Sequence, residues 1–425
     1  MNIIKRIGKS ILCVKLEYQV KKLRKKHSFK VIAVAGSVGK TSTKLAIAQV
    51  LGTKEAVRYQ DGNYNDRLTV PLIFFDQTEP AIFNVMAWFK ILRQNNKLIK
   101  GDYPYKYIVV ELGTDGPGQL EKFAYLKPDI VVLAAIAPEH MSYFGTLDAV
   151  AAEELEVRKY AQKLLINTDD TPAKYLQGID YIGYGLNGGT YQLNVSARSD
   201  LQAPKGSLQI SSNEKIDVQL ATIGSQGAKI SLGAAAVAHL LGFTYDEIKS
   251  GLLAIKPVPG RMQILAGINN STIIDDTYNA SPIAVKAALE VLYAAESPQR
   301  IAILGSMNEL GASSQALHEE VANYCDPQKL SLLVTIGKDA NQYIAPIATS
   351  KGCKVMSFDD PNKAGQYLAP ILQELAIVLA KGSQNGVFAE ETIKPLLANS
   401  ADSQKLVRQS EYWMNVKRQQ FPPAG

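Results

Sequence analysis

Cysteine is scarce in this chain of 425 residues, and its three copies, Cys13, Cys325 and Cys353, lie far apart. None forms a C-x-x-C pair, which argues against a zinc ribbon, and an odd number of distant cysteines argues against a disulfide framework. No uncharged apolar run reaches the length of a membrane-spanning helix. These absences favour a reduced, cytoplasmic, globular chain, and its length predicts two or three domains.

Acidic residues are almost missing from the N-terminus: residues 1–30 contain ten lysines and arginines but one acid, Glu17. The whole chain has a net charge of +6, so the remainder is net negative, and we do not expect the protein to bind nucleic acid as a whole. Apolar residues recur at helical spacing: Ile4, Ile7, Ile11, Val14 and Tyr18. Residues 1–29 are therefore predicted to form a basic amphipathic helix. Its stripe could pack on the body of the protein, rest on the inner face of an anionic membrane, or contact a partner protein or RNA.

Strand and helix patterns alternate from residue 31 to about residue 180, which predicts a doubly wound, mostly parallel α/β sheet. The Gly-, Ser- and Asn-rich stretch from about 181 to 224 predicts short antiparallel strands. After a Pro- and Gly-containing linker at 256–260, a second alternating series predicts a smaller Rossmann-like α/β domain with a loose tail after about residue 415. The expected units are a helix over 1–29, a central domain over 30–258 and a C-terminal domain over 259–425.

The most informative motif is a glycine-rich turn between a predicted strand and a predicted helix. The apolar run 31–35 leads into Gly36-Ser37-Val38-Gly39-Lys40-Thr41-Ser42, and an Ala-rich helical pattern follows. This arrangement directs backbone N–H groups and a helix dipole towards a phosphate. Lys40 is then expected to reach the outer phosphates of a nucleotide, and the Thr41 hydroxyl to help hold Mg²⁺.

Two polar residues are predicted to follow neighbouring buried strands. Glu111 follows the run 108–110, and His140 comes soon after the run 130–133. Because ligands bind beyond the carboxyl ends of parallel strands, Glu111 and His140 could converge with Thr41 on one metal and phosphate site. Carboxylate and hydroxyl oxygens suit Mg²⁺, and histidine is a less usual ligand for it. Each residue could equally be an ordinary polar group at a strand end.

Eight ordered motifs between residues 30 and 395 resemble those of the ATP-dependent Mur ligases of peptidoglycan synthesis, above all the members that add D-alanyl-D-alanine. The motifs are the turn 36–41, the segment 62–71, the segments around Glu111 and His140, and the segments 259–261, 275–282, 305–311 with His318, and 381–383. The resemblance implies ATP and Mg²⁺ as cofactors. It also implies a reaction in which a peptide carboxylate attacks the γ-phosphate, and an amine such as D-alanyl-D-alanine then displaces phosphate from the acyl phosphate.

The resemblance further implies roles for individual residues. The implied catalytic residues are Lys40, Glu111, His140, Glu154 and Arg261. Nucleotide binding is implied for Gly36, Ser37, Val38, Gly39, Lys40, Thr41, Ser42, Arg261, Asp276, Tyr278 and Asn279. The implied ligands of Mg²⁺ are Thr41, Glu111, His140 and Glu154. Contact with the peptide or amine substrate is implied for Asn63, Asn65, Lys381 and Ser383.

The chain also departs from the family pattern. Glu154 stands where the family often has a carbamoylated lysine, so it either supplies a fixed carboxylate or lies on an exposed acidic helix face. These ligases usually carry a UDP-binding domain where this sequence has about thirty residues before the phosphate loop, which leaves UDP recognition open. The alternatives to a D-alanyl-D-alanine ligase are the same chemistry on a lipid-linked or other non-UDP substrate, and a non-catalytic nucleotide-binding scaffold. His318 is expected to be either structural or on the substrate side.

Overall fold

Parallel strands dominate the larger of two sheets. The computed structural model describes residues 3–62, 64–195, 201–211 and 214–422. The strands of this sheet are β1 (Lys30–Ala35), β2 (Val57–Arg58), β3 (Tyr107–Glu111), β4 (Ile130–Leu133), β5 (Leu164–Asn167), β6 (Ile182–Gly185), β7 (Tyr191–Val195), β8 (Lys205–Ser211) and β9 (Glu214–Gln219). They pair in the order β2-β3-β1-β4-β5-β6-β7-β8-β9, and only the β7–β8 and β8–β9 pairs of the described strands are antiparallel. The predicted doubly wound sheet is confirmed.

The second sheet belongs to the C-terminal part of the chain. Its strands are β10 (Gln263–Ala266), β11 (Thr272–Asp276), β12 (Arg300–Gly305), β13 (Leu332–Ile336), β14 (Val355–Phe358) and β15 (Ile377–Lys381). Their order is β10-β11-β15-β12-β13-β14, and every pair of these strands is parallel except β10–β11. This is the second α/β domain that the alternating pattern predicts.

Helices cover the sheets and connect their strands. They are α1 (Ile3–Lys26), α2 (Lys40–Gly52), α3 (Thr69–Ile73), α4 (Val85–Lys100), α5 (Met141–Phe144), α6 (Leu147–Glu154), α7 (Gly224–Leu240), α8 (Tyr245–Leu253), α9 (Pro282–Ala294), α10 (Ser314–Tyr324), α11 (Ala345–Ser350), α12 (Pro361–Leu368), α13 (Glu390–Ile393) and α14 (Glu411–Gln420). None of the helices in the described ranges is long and apolar enough to cross a membrane.

Strand β1 is buried on both faces, which is why its sequence is a continuous apolar run and not an alternating one. Ile32 and Val34 pack into the cluster that contains α2 and α7, while Val31, Ala33 and Ala35 pack into the cluster on the opposite face. The phosphate loop therefore starts from the centre of the sheet, where two layers of side chains fix its position.

Helix α1 contacts the body of the protein, but through a different stripe from the predicted one. Its buried residues are Cys13, Leu16, Val20 and Leu23, all at most 3% exposed. Four residues of the predicted stripe are instead 52–57% exposed: Ile7, Ile11, Val14 and Tyr18. The helix carries two apolar stripes, and the sheet can bury only one. Of the alternatives for the predicted stripe, packing on the body is wrong.

The predicted loose tail is also wrong, because α14 is fixed by buried charges. The Lys417 ammonium is 4% exposed and lies 2.8 Å from the Glu390 carboxylate and 2.6 Å from the Glu391 carboxylate. Arg408 donates two further hydrogen bonds to Glu390, of 2.8 and 2.6 Å. These partners lie far apart in the sequence. From the sequence alone, the charged side chains of the tail are therefore expected to be solvated, and only the fold brings them together.

Candidate active site

The phosphate loop needs glycine at two positions. Gly36 and Gly39 have φ angles of 119° and 85°, which favour glycine. A Cβ atom on Gly36 would also lie 2.8 Å from the backbone nitrogen of Ala135 in the loop after β4. Gly39 caps α2 without a side-chain hydrogen bond, so the first N–H groups of α2 are available to an anion.

A cavity of about 400 Å³ opens between the two α/β domains at this loop. Many of the predicted site residues line it: Ser37, Val38, Gly39, Lys40, Thr41, Ser42, Asn65, Glu111, His140, Arg261, Asp276, Tyr278, Asn279 and Lys381. Gly36, Glu154 and Ser383 do not line this cavity, and Asn63 lies outside the described residues. We refer to this cavity as the cleft.

Lys40 lies among carboxylates. Its ammonium donates to Glu139 Oε2 at 3.1 Å and to the Ser37 carbonyl oxygen at 3.2 Å. Burial alone would lower the pKa of Lys40, but Glu139, Glu154 and Glu111 together raise it above its ordinary value. Lys40 is therefore a fixed positive charge at the phosphate loop. The sequence analysis did not single out Glu139, although it directly precedes His140.

Glu111 forms the floor of the cleft and has one oxygen available for a cation. Glu111 Oε1 accepts a hydrogen bond of 3.0 Å from Asn65 Nδ2. Glu111 Oε2 is buried without a hydrogen bond, and the nearest described cation, Lys44 Nζ, is 3.5 Å away. Burial lowers the pKa of Lys44, which also donates to the Gly62 carbonyl oxygen at 2.7 Å. A carboxylate oxygen without a hydrogen bond, in a cleft that Thr41 also lines, fits a Mg²⁺ ligand.

His140 reaches the other domain instead of joining Glu111. It has a φ of 49°, and its Nδ1 lies 2.7 Å from Glu309 Oε2, which belongs to the C-terminal domain. Its Nε2 is 3.7 Å from Asp115 Oδ1 and 3.8 Å from Glu139 Oε1. In the part of the chain that the structure describes, no three His, Cys, Asp or Glu side chains are grouped closely enough to hold a metal ion. The implied Mg²⁺ ligands are thus near one another but not assembled.

Glu154 lies behind the phosphate loop, and the expectation of an exposed acidic helix face is wrong. It is 2% exposed, and its Oε2 accepts a hydrogen bond of 2.7 Å from the Gly36 N–H group. Burial, with help from Glu139, raises the pKa of Glu154 to about 7, although Lys40 opposes the shift. The neighbouring Glu153 is also buried. Both carboxylates therefore support backbone of the loops around the cleft.

The C-terminal domain contributes a second group of charges to the cleft. Lys381 Nζ is 2.6 Å from Asp276 Oδ2 and donates to the Asn279 carbonyl oxygen at 2.9 Å. The Arg261 guanidinium carbon lies 4.1 Å from the centre of the Tyr278 ring, and Arg261 Nε is buried without a hydrogen-bond partner. Arg261 is thus positioned by stacking while one of its donors is unsatisfied, which fits an anion in the cleft.

Ser383 and His318 organise backbone: of the two alternatives for His318 the structural one fits its contacts, and Ser383 does not line the cleft. Ser383 is 1% exposed, and its Oγ accepts a hydrogen bond of 2.9 Å from the Asn308 N–H group. His318 is fully buried; its Nε2 accepts from the Met307 N–H group at 2.9 Å, and its Nδ1 donates to the Ser314 carbonyl oxygen at 2.7 Å. Burial lowers the pKa of His318, so the ring is neutral. Both side chains hold the turn after β12 in place.

A phosphate loop on a parallel sheet, facing charged residues of a second α/β domain across a cleft, defines the class of two-domain nucleotide-dependent enzymes. Two protein-family models match this chain: the Mur ligase middle domain over residues 34–238 and the Mur ligase, glutamate ligase domain over residues 260–384. The chain therefore belongs to the Mur ligase family, whose members are ATP-dependent ligases that form C–N bonds.

Similar proteins and structures share most of their length with this chain. The UDP-N-acetylmuramoyl-tripeptide–D-alanyl-D-alanine ligase of Haemophilus influenzae is 28% identical over 389 residues, which cover 85% of this chain and 76% of that protein. The Escherichia coli ligase of the same name is 27% identical over 396 residues, with 89% and 79% covered. The crystal structure of MurF from Acinetobacter baumannii has a TM-score of 0.73 at 21% identity, covering 93% of this chain and 80% of that one. MurF from Thermotoga maritima in complex with ADP has a TM-score of 0.72 at 23% identity, covering 90% and 83%.

Proposed function

We propose that this protein is an ATP-dependent ligase of peptidoglycan precursor synthesis, which joins D-alanyl-D-alanine to the peptide carboxylate of a UDP-N-acetylmuramoyl-tripeptide. The observation that carries the proposal is the cleft, in which Lys40 and Glu111 of the central domain face Arg261 and Asp276 of the C-terminal domain. The names of the similar proteins from Haemophilus influenzae and Escherichia coli support this choice of substrates.

The proposed reaction has two steps. A carboxylate oxygen of the peptide attacks the γ-phosphorus of ATP, the bond to the β-phosphate oxygen breaks, and ADP and an acyl phosphate result. The amine of D-alanyl-D-alanine then attacks the acyl carbon, the C–O bond to phosphate breaks, and the nitrogen loses a proton as the amide forms. Phosphoryl transfer depends on positioning and on charge neutralisation. Lys40 and Arg261 are the cations proposed to neutralise the transferred group.

Binding of ATP is expected to exchange partners at the phosphate loop. Lys40 is paired with Glu139 at 3.1 Å, and a phosphate at the N-terminus of α2 would compete for the same ammonium group. The backbone N–H groups of residues 38–42 would bind phosphate oxygens, since those of Gly36 and Ser37 donate to Glu154 and to the Ala135 carbonyl oxygen. Asp276, Tyr278 and Asn279 would contact the nucleotide from the C-terminal domain. A closed cleft also excludes water, which protects an acyl phosphate from hydrolysis.

Magnesium is the cation that the donor set of the cleft fits. Thr41 and Glu111 would hold it, because they supply a hydroxyl and an unsatisfied carboxylate oxygen. His140 and Glu154 are the further ligands that the resemblance implies, and each would first have to leave its present partner, Glu309 for His140 and the Gly36 N–H group for Glu154. Glu154 would then be the fixed carboxylate at the family's carbamoylated lysine position. When bound, Mg²⁺ supplies positive charge to the β- and γ-phosphate oxygens.

Substrate contacts are proposed for two residues that line the cleft. Asn65 is positioned by its hydrogen bond to Glu111, and Lys381 by its ion pair with Asp276. Asn63, which belongs to the same segment as Asn65, stays a proposal from the sequence. The alternative of a lipid-linked substrate depends on helix α1 and not on the residues of the cleft. Because both substrates can be supplied to the same turnover assay, one experiment separates the two alternatives.

The test is the formation of ADP by the purified chain with Mg-ATP, UDP-N-acetylmuramoyl-tripeptide and D-alanyl-D-alanine. The proposal predicts ADP and the amide product only when both substrates are present. Lys40→Ala is expected to abolish turnover, whereas Lys54→Ala, an exposed lysine just after α2, serves as the matched control. Turnover with a lipid-linked peptide alone would favour the alternative substrate. ATP binding without turnover on either substrate would favour the scaffold and contradict the proposal.

A further inference from the structure

Helices α1 and α4 lie side by side on the surface and run in the same direction. Gln19 of α1 donates a hydrogen bond of 2.8 Å to the Leu92 carbonyl oxygen and accepts one of 2.9 Å from Asn95 Nδ2. One turn or two further along, the Lys26 ammonium donates to the Lys100 carbonyl oxygen. From the first contact to the second, the residue numbers increase along both helices. The helices are therefore parallel, and their N-terminal halves lie at the same end of the pair.

That end of the helix pair presents large apolar side chains to solvent. On α1 they are 52–57% exposed, and on α4 and the residues before it they are 63–77% exposed. The residues are Ile7, Ile11, Val14, Tyr18, Phe83, Val85, Met86 and Phe89. Exposed hydrophobic residues are ordinary when they occur singly, but a group of them on neighbouring helices marks an interaction surface. We call these eight residues the apolar face.

Basic residues accompany the apolar face, and acids are few: α1 and α4 carry one between them, and Glu79 lies near Lys9 in the segment before α4. Helix α1 has nine lysines and arginines and one acid, Glu17, which forms an ion pair of 2.6 Å with Arg67. Helix α4 has four lysines and arginines and no acid. The whole chain has a net charge of only +6, so the positive charge of the protein is concentrated on this helix pair.

We propose that the helix pair binds the surface of an anionic lipid bilayer, with the apolar face in the headgroup region and the lysines on lipid phosphates. No described helix is both long and apolar enough to cross a membrane, so the expected position is parallel to its surface. A few inserted apolar side chains bind weakly, and so does a basic cluster, but together they give stable attachment. Two copies joined through this face would bring like charges together, which disfavours a dimer.

The proposed surface is linked to the cleft through one segment. Lys9 of α1 forms an ion pair of 2.8 Å with Asp66, and Glu17 pairs with Arg67. The preceding residue, Asn65, contacts Glu111 in the cleft. Membrane attachment would therefore hold this substrate-side segment near the bilayer. The binding itself does not depend on the proposed ligase activity, so the two can fail separately.

Sedimentation with vesicles tests the charge. The full chain is mixed with phosphatidylcholine vesicles with or without phosphatidylglycerol, at low and high salt. We expect binding to the anionic vesicles that weakens as salt rises. The triple variant changes exposed lysines of α1, Lys21→Gln, Lys22→Gln and Lys25→Gln, and is expected to bind about a hundredfold more weakly, at about fivefold per lysine. The matched control makes the same change at exposed lysines of the C-terminal domain, Lys329, Lys351 and Lys354.

A second pair of variants tests the apolar face. The double variant Ile11→Ser with Phe89→Ser is expected to reduce binding to anionic vesicles at least tenfold. Leu375 is 60% exposed in another part of the protein, so Leu375→Ser is the control and is expected to leave binding unchanged. All of these side chains are exposed, so thermal unfolding is expected to match the wild type. Equal binding to neutral and anionic vesicles would overturn the proposal, as would equal loss in the two lysine triples. Absence of vesicle binding together with a dimer that Ile11→Ser and Phe89→Ser dissociates would assign the face to self-association instead.

Discussion

Replacing Glu154 by glutamine is expected to stabilise the folded chain, and by an amount that depends on pH. Burial raises the pKa of this carboxyl group to about 7 from an ordinary value of 4.5. The folded chain therefore keeps a proton that the unfolded chain releases, and Glu154 costs stability progressively as pH rises from 4.5 to about 7. The full shift corresponds to about 3 kcal/mol. The glutamine of Glu154→Gln cannot ionise. The free energy of unfolding of this variant, relative to that of the wild type, is therefore expected to rise by about that much from the acidic to the alkaline limit.

The assay is urea unfolding of the wild type and the variant without Mg²⁺ or nucleotide, at several pH values across this range. Subtracting the two free energies of unfolding at each pH removes the contribution of every other titrating group. Glu153→Gln is the matched control, because the Glu153 carboxylate accepts hydrogen bonds from the N–H groups of Gly118, Gln119 and Leu120 at 2.7–2.8 Å. This control is expected to lose stability. A Glu154→Gln difference that stays constant from pH 4.5 to 8 would refute the buried position of Glu154.

Three further substitutions separate catalytic from structural residues. Lys40→Ala is expected to lower the rate of ADP formation at least a hundredfold, roughly the effect of removing one preorganised charge, while circular dichroism still shows a folded chain; normal turnover would contradict its place at the phosphates. His318→Phe leaves the Met307 N–H group without its acceptor and is expected to cost about 1–3 kcal/mol of stability, while the KM for ATP stays the same. Lys417→Met removes a buried cation beside Glu390 and is expected to cost about 3–5 kcal/mol in urea unfolding followed by tryptophan fluorescence; no loss would show that α14 is not fixed as described.

The central sheet and the phosphate loop could be predicted from the sequence because their signals are local. A run such as 31–35 is buried on both faces, so every residue in it is apolar, and the glycines at 36 and 39 follow from the backbone angles of the turn. The positions of Glu111 and His140 after β3 and β4, the two strands that flank β1, needed only the rule for parallel sheets.

The partners of these residues could not be predicted, because they come from distant parts of the chain. Nothing in the sequence distinguishes Lys44 from other helix lysines, but in the fold its ammonium lies 3.5 Å from the Glu111 carboxylate. His140 reads as a possible metal ligand, but Glu309 of the second domain lies 2.7 Å from its ring. In α1, periodicity alone cannot tell which of two apolar stripes faces the sheet. Each of these outcomes depends on tertiary contacts.

The most direct test of the ligase mechanism follows one oxygen atom. The substrate peptide is labelled with ¹⁸O in its reacting carboxylate, the purified chain is supplied with Mg-ATP and D-alanyl-D-alanine, and the released phosphate is analysed by mass spectrometry. An acyl phosphate intermediate predicts one labelled oxygen transferred to phosphate for each amide formed. Unlabelled phosphate, released without amide, would mean that water attacks ATP and would contradict the account.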